Sequence, residues 1–183
     1  MRTFFKSLLW ILLAALLICL WAAASGQTQS IQLRAGWNLV SSNVIPEQTS
    51  LDSIFKDKPV QLITSMSGVY WPAGNVRTLT DWSANEAYKI KTYAGFELTM
   101  TGQPVELPKQ TEIKAGVNYL PVYKLVSIQE LFRENLQHVY FIFAQNESMV
   151  YCPLLDLYDL RAVKPGNGYL IFSLQNFTIT WQQ

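Results

Sequence analysis

Arg34-Ala-Gly-Trp-Asn38 and Lys114-Ala-Gly-Val-Asn118 are nearly the same pentapeptide written twice, 80 residues apart, and that correspondence decides how the chain is read. Working outward, residues 33–102 can be laid on residues 113–181. After a three-residue shortening in the second stretch, Leu51, Ile54 and Phe55 meet Ile128, Leu131 and Phe132. The offset then settles at 81, where Val69, Tyr70 and Pro72 fall on Val150, Tyr151 and Pro153. Leu79 meets Leu160, Tyr88 and Ile90 meet Tyr169 and Ile171, and Phe96 meets Phe177. A constant offset over so many residues implies an internal duplication. A unit of ~70 residues is marginal alone, so the two copies are expected to pack together about a pseudo-twofold axis. The first β repeat is assigned residues 27–105 and the second residues 106–183.

Each copy reads as mainly β with a short helix. Residues 31–41 have strand composition broken by Arg-Ala-Gly, which predicts a three-residue hairpin with Gly36 in the left-handed conformation. Ser127 precedes Glu130 by three, a capping box, and Ile128, Leu131 and Phe132 then share one helical face. Thr49 with Asp52 is the weaker counterpart in the first copy. Residues 60–65 with 69–71, and 139–144 with 149–151, are rich in β-branched and aromatic residues and predict hairpins, turned at Ser67-Gly68 and Asn146-Glu147-Ser148. Lys164-Pro165-Gly166 suits a type II turn, with Asn85 the matching residue of the first copy. Residues 88–91 with 96–101, and 169–172 with 177–181, are read as closing strand pairs. The alternation of Phe177, Ile179 and Trp181 with Thr178 and Thr180 gives the last strand one wet face. A linker at residues 103–110, with two prolines, joins the copies.

The N-terminal 26 residues are of another kind. Arg2 and Lys6, no acid, an apolar run over residues 8–24 and the small residues Ala22 to Gly26 form the layout of a signal peptide. At 17 residues the run sits at the short edge of a membrane span, so an uncleaved anchor is the alternative, and the only membrane contact expected. Cys19 follows the bulky Ile18 rather than small residues and is read as part of the apolar centre. The expected location is exported: periplasm, cell surface or medium. Beyond residue 26, 12 basic side chains face 13 acidic ones, so no field exists to attract nucleic acid. Cys152 is then the one remaining cysteine, which excludes an intramolecular disulfide and leaves stability to an ordinary core.

Three pieces of the sequence carry a likeness to a known family. Ala35-Gly-Trp-Asn-Leu-Val-Ser41, Val69-Tyr-Trp-Pro72 and Gly166-Asn-Gly-Tyr-Leu-Ile171 resemble a repeat module of secreted and cell-surface bacterial proteins. There it accompanies adhesive, carbohydrate-active or sorting modules. The resemblance implies a β-rich extracellular module and brings no catalytic residues with it. Val117 stands where the module has tryptophan.

Chemistry is scarce. A nucleophile needs an adjacent, oriented base, and the single histidine, His138, lies between a helix and a strand, where a surface role is expected. Cys152 falls inside a strand, where a thiol is a small buried hydrophobe. One cysteine and one histidine cannot make a zinc site. Asp156 and Asp159, among leucines and a tyrosine, read as a capped turn rather than a calcium loop. No phosphate loop or dinucleotide fingerprint occurs, so no cofactor and no metal are expected. A glycosidase needs only two carboxylates, and it stays open as the less favoured third reading. The glycosylation triplets at Asn146 and Asn176 matter only in a eukaryotic secretory route.

Aromatic residues that one copy has and the other lacks supply the candidate binding patch. Trp71 answers to Cys152, Trp82 to Val163 and Tyr93 to Leu174. Trp71 and Trp82 flank the polar loop with Asn75 and Arg77, and an exposed ring is a platform for a sugar face or an apolar partner. The candidate ligand-binding residues are therefore Trp71, Trp82, Tyr93, Asn75 and Arg77; the opposing reading places the tryptophans in a larger first core. The expected function is non-enzymatic, a secreted or envelope-associated β module binding a glycan or protein at the cell surface. A structural or accessory subunit of an envelope assembly is the alternative.

Overall fold

The computed structural model describes residues 26–183. The apolar segment read above as a signal peptide, with Cys19, lies outside the described residues. Among the described residues no helix is long and apolar enough to cross a membrane. The chain is mainly β, with two short α-helices among the described residues.

The strands of residues 26–104 are β1 (Gln27–Leu33), β2 (Gly36–Ser41), β3 (Val44–Pro46), β4 (Val60–Thr64), β5 (Val69–Trp71), β6 (Val76–Arg77), β7 (Ala87–Thr92) and β8 (Phe96–Pro104), with α1 (Leu51–Ile54) between β3 and β4. Those of residues 105–183 are β9 (Lys109–Ile113), β10 (Gly116–Leu120), β11 (Val126–Ser127), β12 (Val139–Ala144), β13 (Met149–Cys152), β14 (Leu157–Tyr158), β15 (Ala162–Val163), β16 (Gly166–Asn167), β17 (Tyr169–Ser173) and β18 (Phe177–Trp181), with α2 (Ile128–Phe132) after β11.

Arg34-Ala-Gly36 and Lys114-Ala-Gly116 are not hairpin loops. β1 pairs with β8 while β2 pairs with β7, and likewise β9 pairs with β18 while β10 pairs with β17. Each segment is a corner passing the chain from one sheet to another. Gly36 and Gly116 both take φ +93° there, a conformation closed to most side chains. Asn38 explains how the corner is held: its Oδ1 accepts from Arg34 N–H at 2.9 Å and its Nδ2 donates to Arg34 O at 2.8 Å. Asn118 does the same with Lys114, at 2.9 and 2.7 Å. The same geometry corrects the closing pairs: β7 and β8 are consecutive but lie in different sheets, as do β17 and β18. The linker is shorter than expected, because β8 runs to Pro104 and β9 starts at Lys109.

The hairpins at residues 60–71 and 139–152 form as read, Ile63 opposite Tyr70 and Ile142 opposite Tyr151. Ser127 Oγ accepts from Glu130 N–H at 3.1 Å and starts α2. Thr49 instead donates its hydroxyl to Asp81, and α1 begins after Ser50 without a side-chain cap. Gly166 takes φ +91°, and Asn167 N–H reaches Lys164 O, as a type II turn requires; Asn85 does not take positive φ.

Two hydrophobic cores result. Ile31, Leu51, Ile63, Trp82, Tyr88 and Leu98 belong to one, and Ile113, Ile128, Phe132, Ile142, Tyr169 and Trp181 to the other. They are joined at a seam where β16 adds to the edge of β2, extending the first sheet with a strand from the second half. Asn146 fastens it: its Oδ1 accepts from Leu39 N–H at 2.8 Å and its Nδ2 donates to Leu39 O at 3.0 Å. Ser41 Oγ donates to Asn167 O at 2.7 Å and accepts from Val122 N–H at 3.0 Å.

Candidate functional site

Trp71, Asn75 and Arg77 are brought together on the β5–β6 hairpin. Pro72 starts a single 3-10 turn that ends at Asn75, which adopts the left-handed conformation at φ 54°. That reversal lets Arg77 Nη1 donate to Asn75 Oδ1 at 2.8 Å while its Nε lies 3.4 Å from Asp52 Oδ1. Tyr70 donates its hydroxyl to the same Asp52 oxygen at 2.8 Å. That hydroxyl, with the Arg77 guanidinium, holds the Asp52 carboxyl below its usual range. Burial first, then the hydrogen bond to Asp52 and the charge it carries, push the Tyr70 phenol up to about 12. Trp71 is 44% exposed. A Cβ on Gly74 would overlap its ring, so the glycine backbone lies against one face of the indole.

Trp82 does not join this patch. It is 2% exposed, stacks on Tyr88 with ring centroids 4.1 Å apart, and donates Nε1–H to Ser42 Oγ at 2.9 Å. It is a core residue, which follows from the chain before α1: Trp82 N–H is tied to Thr49 O, and the ring is drawn inward beside Phe55. Tyr93 is exposed but lies on the β7–β8 corner, separated in the sheet from β5 by β4.

The surface that stands out is in the other half. On the outward face of the second sheet, cross-strand register aligns Val117, Phe172 and Phe141 in one row, and Tyr119, Leu170, Phe143 and Val150 in the next. All seven are half-buried or exposed, and Phe141 stacks on Phe172 at 5.9 Å with Tyr140 edge-on to both. An antiparallel sheet with one wet face should alternate apolar and polar, and here the wet face is apolar. The first sheet behaves normally: its rows carry Lys91 and Lys89, whose ammonium groups lie over Trp37 at 5.6 and 4.8 Å. At the tip of β13–β14 the contrast recurs, since Leu154, Leu155, Leu157 and Tyr158 are exposed. The sequence did carry this signal. Val-Tyr-Phe-Ile-Phe-Ala at 139–144 is apolar at every position, so both faces of that strand had to be apolar.

A cavity of about 330 Å³ opens on the flank of the seam opposite Asn146. β10 supplies Asn118 and Tyr119, and the turn before β7 supplies Asn85 and Glu86. Glu86 and Glu112 both line it, the acid pair that a glycosidase reading asks for, with Lys114 beside them. Glu86 accepts the Ser67 hydroxyl at 2.8 Å. Elsewhere Cys152 is buried, His138 is half-buried at the end of a 3-10 turn, and Asp156 caps the β13–β14 turn at φ 56°. No group of three or more metal-ligating side chains occurs among the described residues.

No family model, curated protein or solved structure matches the chain.

Proposed function

We propose that the chain is an exported, non-enzymatic β module built from two copies of one unit, which binds a protein partner at the cell surface or in the envelope through the apolar face of its second sheet. The duplication is supported by register: Asn38 opposite Ile90 and Asn118 opposite Ile171 hold equal places, behind corners with the same asparagine bonds. The resemblance to repeat modules of secreted bacterial proteins and the N-terminal basic-then-apolar segment support export. The observation that carries the binding role is the pair of apolar rows, Val117–Phe172–Phe141 and Tyr119–Leu170–Phe143–Val150. Contiguous apolar surface of this kind marks an interaction site, and rigid aromatic rings are what partner interfaces favour.

The test is site-specific photocrosslinking in cells that express the protein, with the probe at position 172 or, as a control, at position 91 on the lysine-bearing face. A discrete adduct from 172 alone supports the reading. Equal adducts, or none, overturn it. Glycan binding is the second reading, favoured by the half-exposed Trp71 beside Asn75 and Arg77. Retention on polysaccharide gels that is lost in Trp71→Ala would support it. A glycosidase would lose all turnover in Glu112→Gln.

A further inference from the structure

The two flanks of the seam are built on the same strand position but finished differently. Leu39 spends its N–H and C=O on Asn146, and its C=O also accepts Gly168 N–H at 2.9 Å, so both groups point away from β7. Tyr119 follows Asn118 as Leu39 follows Asn38, and pairs with Leu170 as Leu39 pairs with Lys89. By strand alternation its N–H and C=O point away from β17, on the side where Tyr119 lines the cavity. Among the described residues no side chain and no turn or loop backbone group bonds either one.

Four substitutions keep this flank open. Ser65 stands at the place of Asn146, too short to reach Tyr119 and already bonded to Ser67, with the two Oγ atoms 2.8 Å apart. Pro121 stands at the place of Ser41 and has neither hydroxyl nor N–H to offer. Asn85 replaces Gly166 without taking its positive φ, and Glu86 replaces Asn167. The molecule therefore shows on one flank what fills such an edge: a short extended segment and a side-chain carboxamide.

We infer that the cavity beside Tyr119 binds an extended peptide segment of a partner, whose Asn or Gln carboxamide bonds the Tyr119 N–H and C=O as Asn146 bonds Leu39. This is strand addition at a sheet edge, with main-chain bonds for affinity and a side chain for selectivity. Glu86 and Glu112 against the single Lys114 make the rim net acidic and select a basic residue next to the amide. The inference rests on the proposed equivalence of the two halves, and of the apolar sheet face it shares only Tyr119, through its main chain.

The experiment is an NMR titration of the isotope-labelled protein with acetyl-Ala-Asn-Lys-amide, beside acetyl-Ala-Ala-Lys-amide. Saturable shifts centred on the amide signals of Tyr119 and Glu86 are expected. The alanine peptide should bind roughly tenfold more weakly, since two hydrogen bonds are lost. Ser65→Asn should supply the carboxamide from within, protect the Tyr119 amide from exchange and abolish peptide binding; should it fail to fold, the peptide pair decides alone. Phe141→Lys, on the sheet face, should leave the titration unchanged, which separates this site from the partner-binding reading. Equal response to both peptides, or no saturable shift at Tyr119, overturns the inference.

Discussion

Replacing Trp82 by alanine should be far more costly than replacing Trp71, although the two tryptophans lie eleven residues apart in similar polar sequence. A large aromatic buries ~150–250 Å², and at ~25 cal/mol per Å² full burial is worth roughly 4–6 kcal/mol. Trp82 is 2% exposed, so nearly all of that is at stake. Its neighbours Phe55 and Tyr88 are themselves core residues and cannot close the gap completely. Measured large-to-small core substitutions of this kind cost ~3–5 kcal/mol. Ser42 Oγ would also lose the indole donor, keeping only its own bond to Val44 O at 2.9 Å. Trp71 is 44% exposed, and water can enter the space it leaves, so Trp71→Ala should cost about 1–2 kcal/mol. The assay is equilibrium denaturation of both variants, with thermal unfolding as a second probe, where ~2–4 °C per kcal/mol applies at this size. Costs within ~1 kcal/mol of each other would refute the assignment of Trp82 to the core.

Other substitutions and conditions should separate the remaining parts. Asn146→Ala removes both bonds to Leu39 and should cost about 2 kcal/mol, with faster amide exchange at Leu39 and Gly168. Ser127→Ala removes the N-cap acceptor of α2 and should cost ~1 kcal/mol in denaturant unfolding, whereas Thr49→Ala, which caps no helix, should cost less. Tyr70 and Tyr123 are held neutral by burial, each pushed up to about 12 from 10.0. Their stabilisation is complete below pH 10 and is lost as pH rises through about 12, because the unfolded chain ionises first; alkaline unfolding that precedes tyrosinate absorbance would contradict this. Phe172→Lys should cost only ~1 kcal/mol, the aromatic contact with Phe141 and Tyr140, because lysine already occupies the matching place at Lys91.

Local signals with a single physical meaning were legible in the sequence. The Ser127–Glu130 spacing can only help a helix start, and the Pro165-Gly166 pair fits few backbone shapes, so both appear where the residues put them. Pairing partners across the glycine corners were not legible. Residues 31–33 and 36–41 look like two arms of a hairpin because strand composition and a glycine turn are all that a hairpin needs. Whether the arms pair depends on Asn38, whose side chain bonds both polar groups of Arg34 and turns the corner into a step between sheets. The site was half legible. Trp71, Asn75 and Arg77 meet because they share one tight turn, but Trp82 is separated from them by the tertiary bond of its own N–H to Thr49 O, to which no short-range pattern points.

Comparing unmatched aromatics favoured the first half, and the structure shows why polarity is the better comparison. A tryptophan present in one half alone can be taken into the core, as Trp82 is, without changing the surface. A change between lysine and an aliphatic or aromatic residue on an outward strand position has no such outlet, because the pleat fixes which face it occupies. Lys89 against Leu170 and Lys91 against Phe172 are changes of this second kind, in the same strand register on the two sheets. An outward lysine keeps a sheet face wet at almost no cost in stability, so its loss at two adjacent rows is a loss of solubility that folding does not require. The seam shows the same division. One flank is closed by Asn146 and Ser41, while on the other Tyr119 and Pro121 line a cavity. Both differences between the halves lie in the second, at its face and at its edge, which is where the proposed partner contacts are placed and where the substitutions above test them.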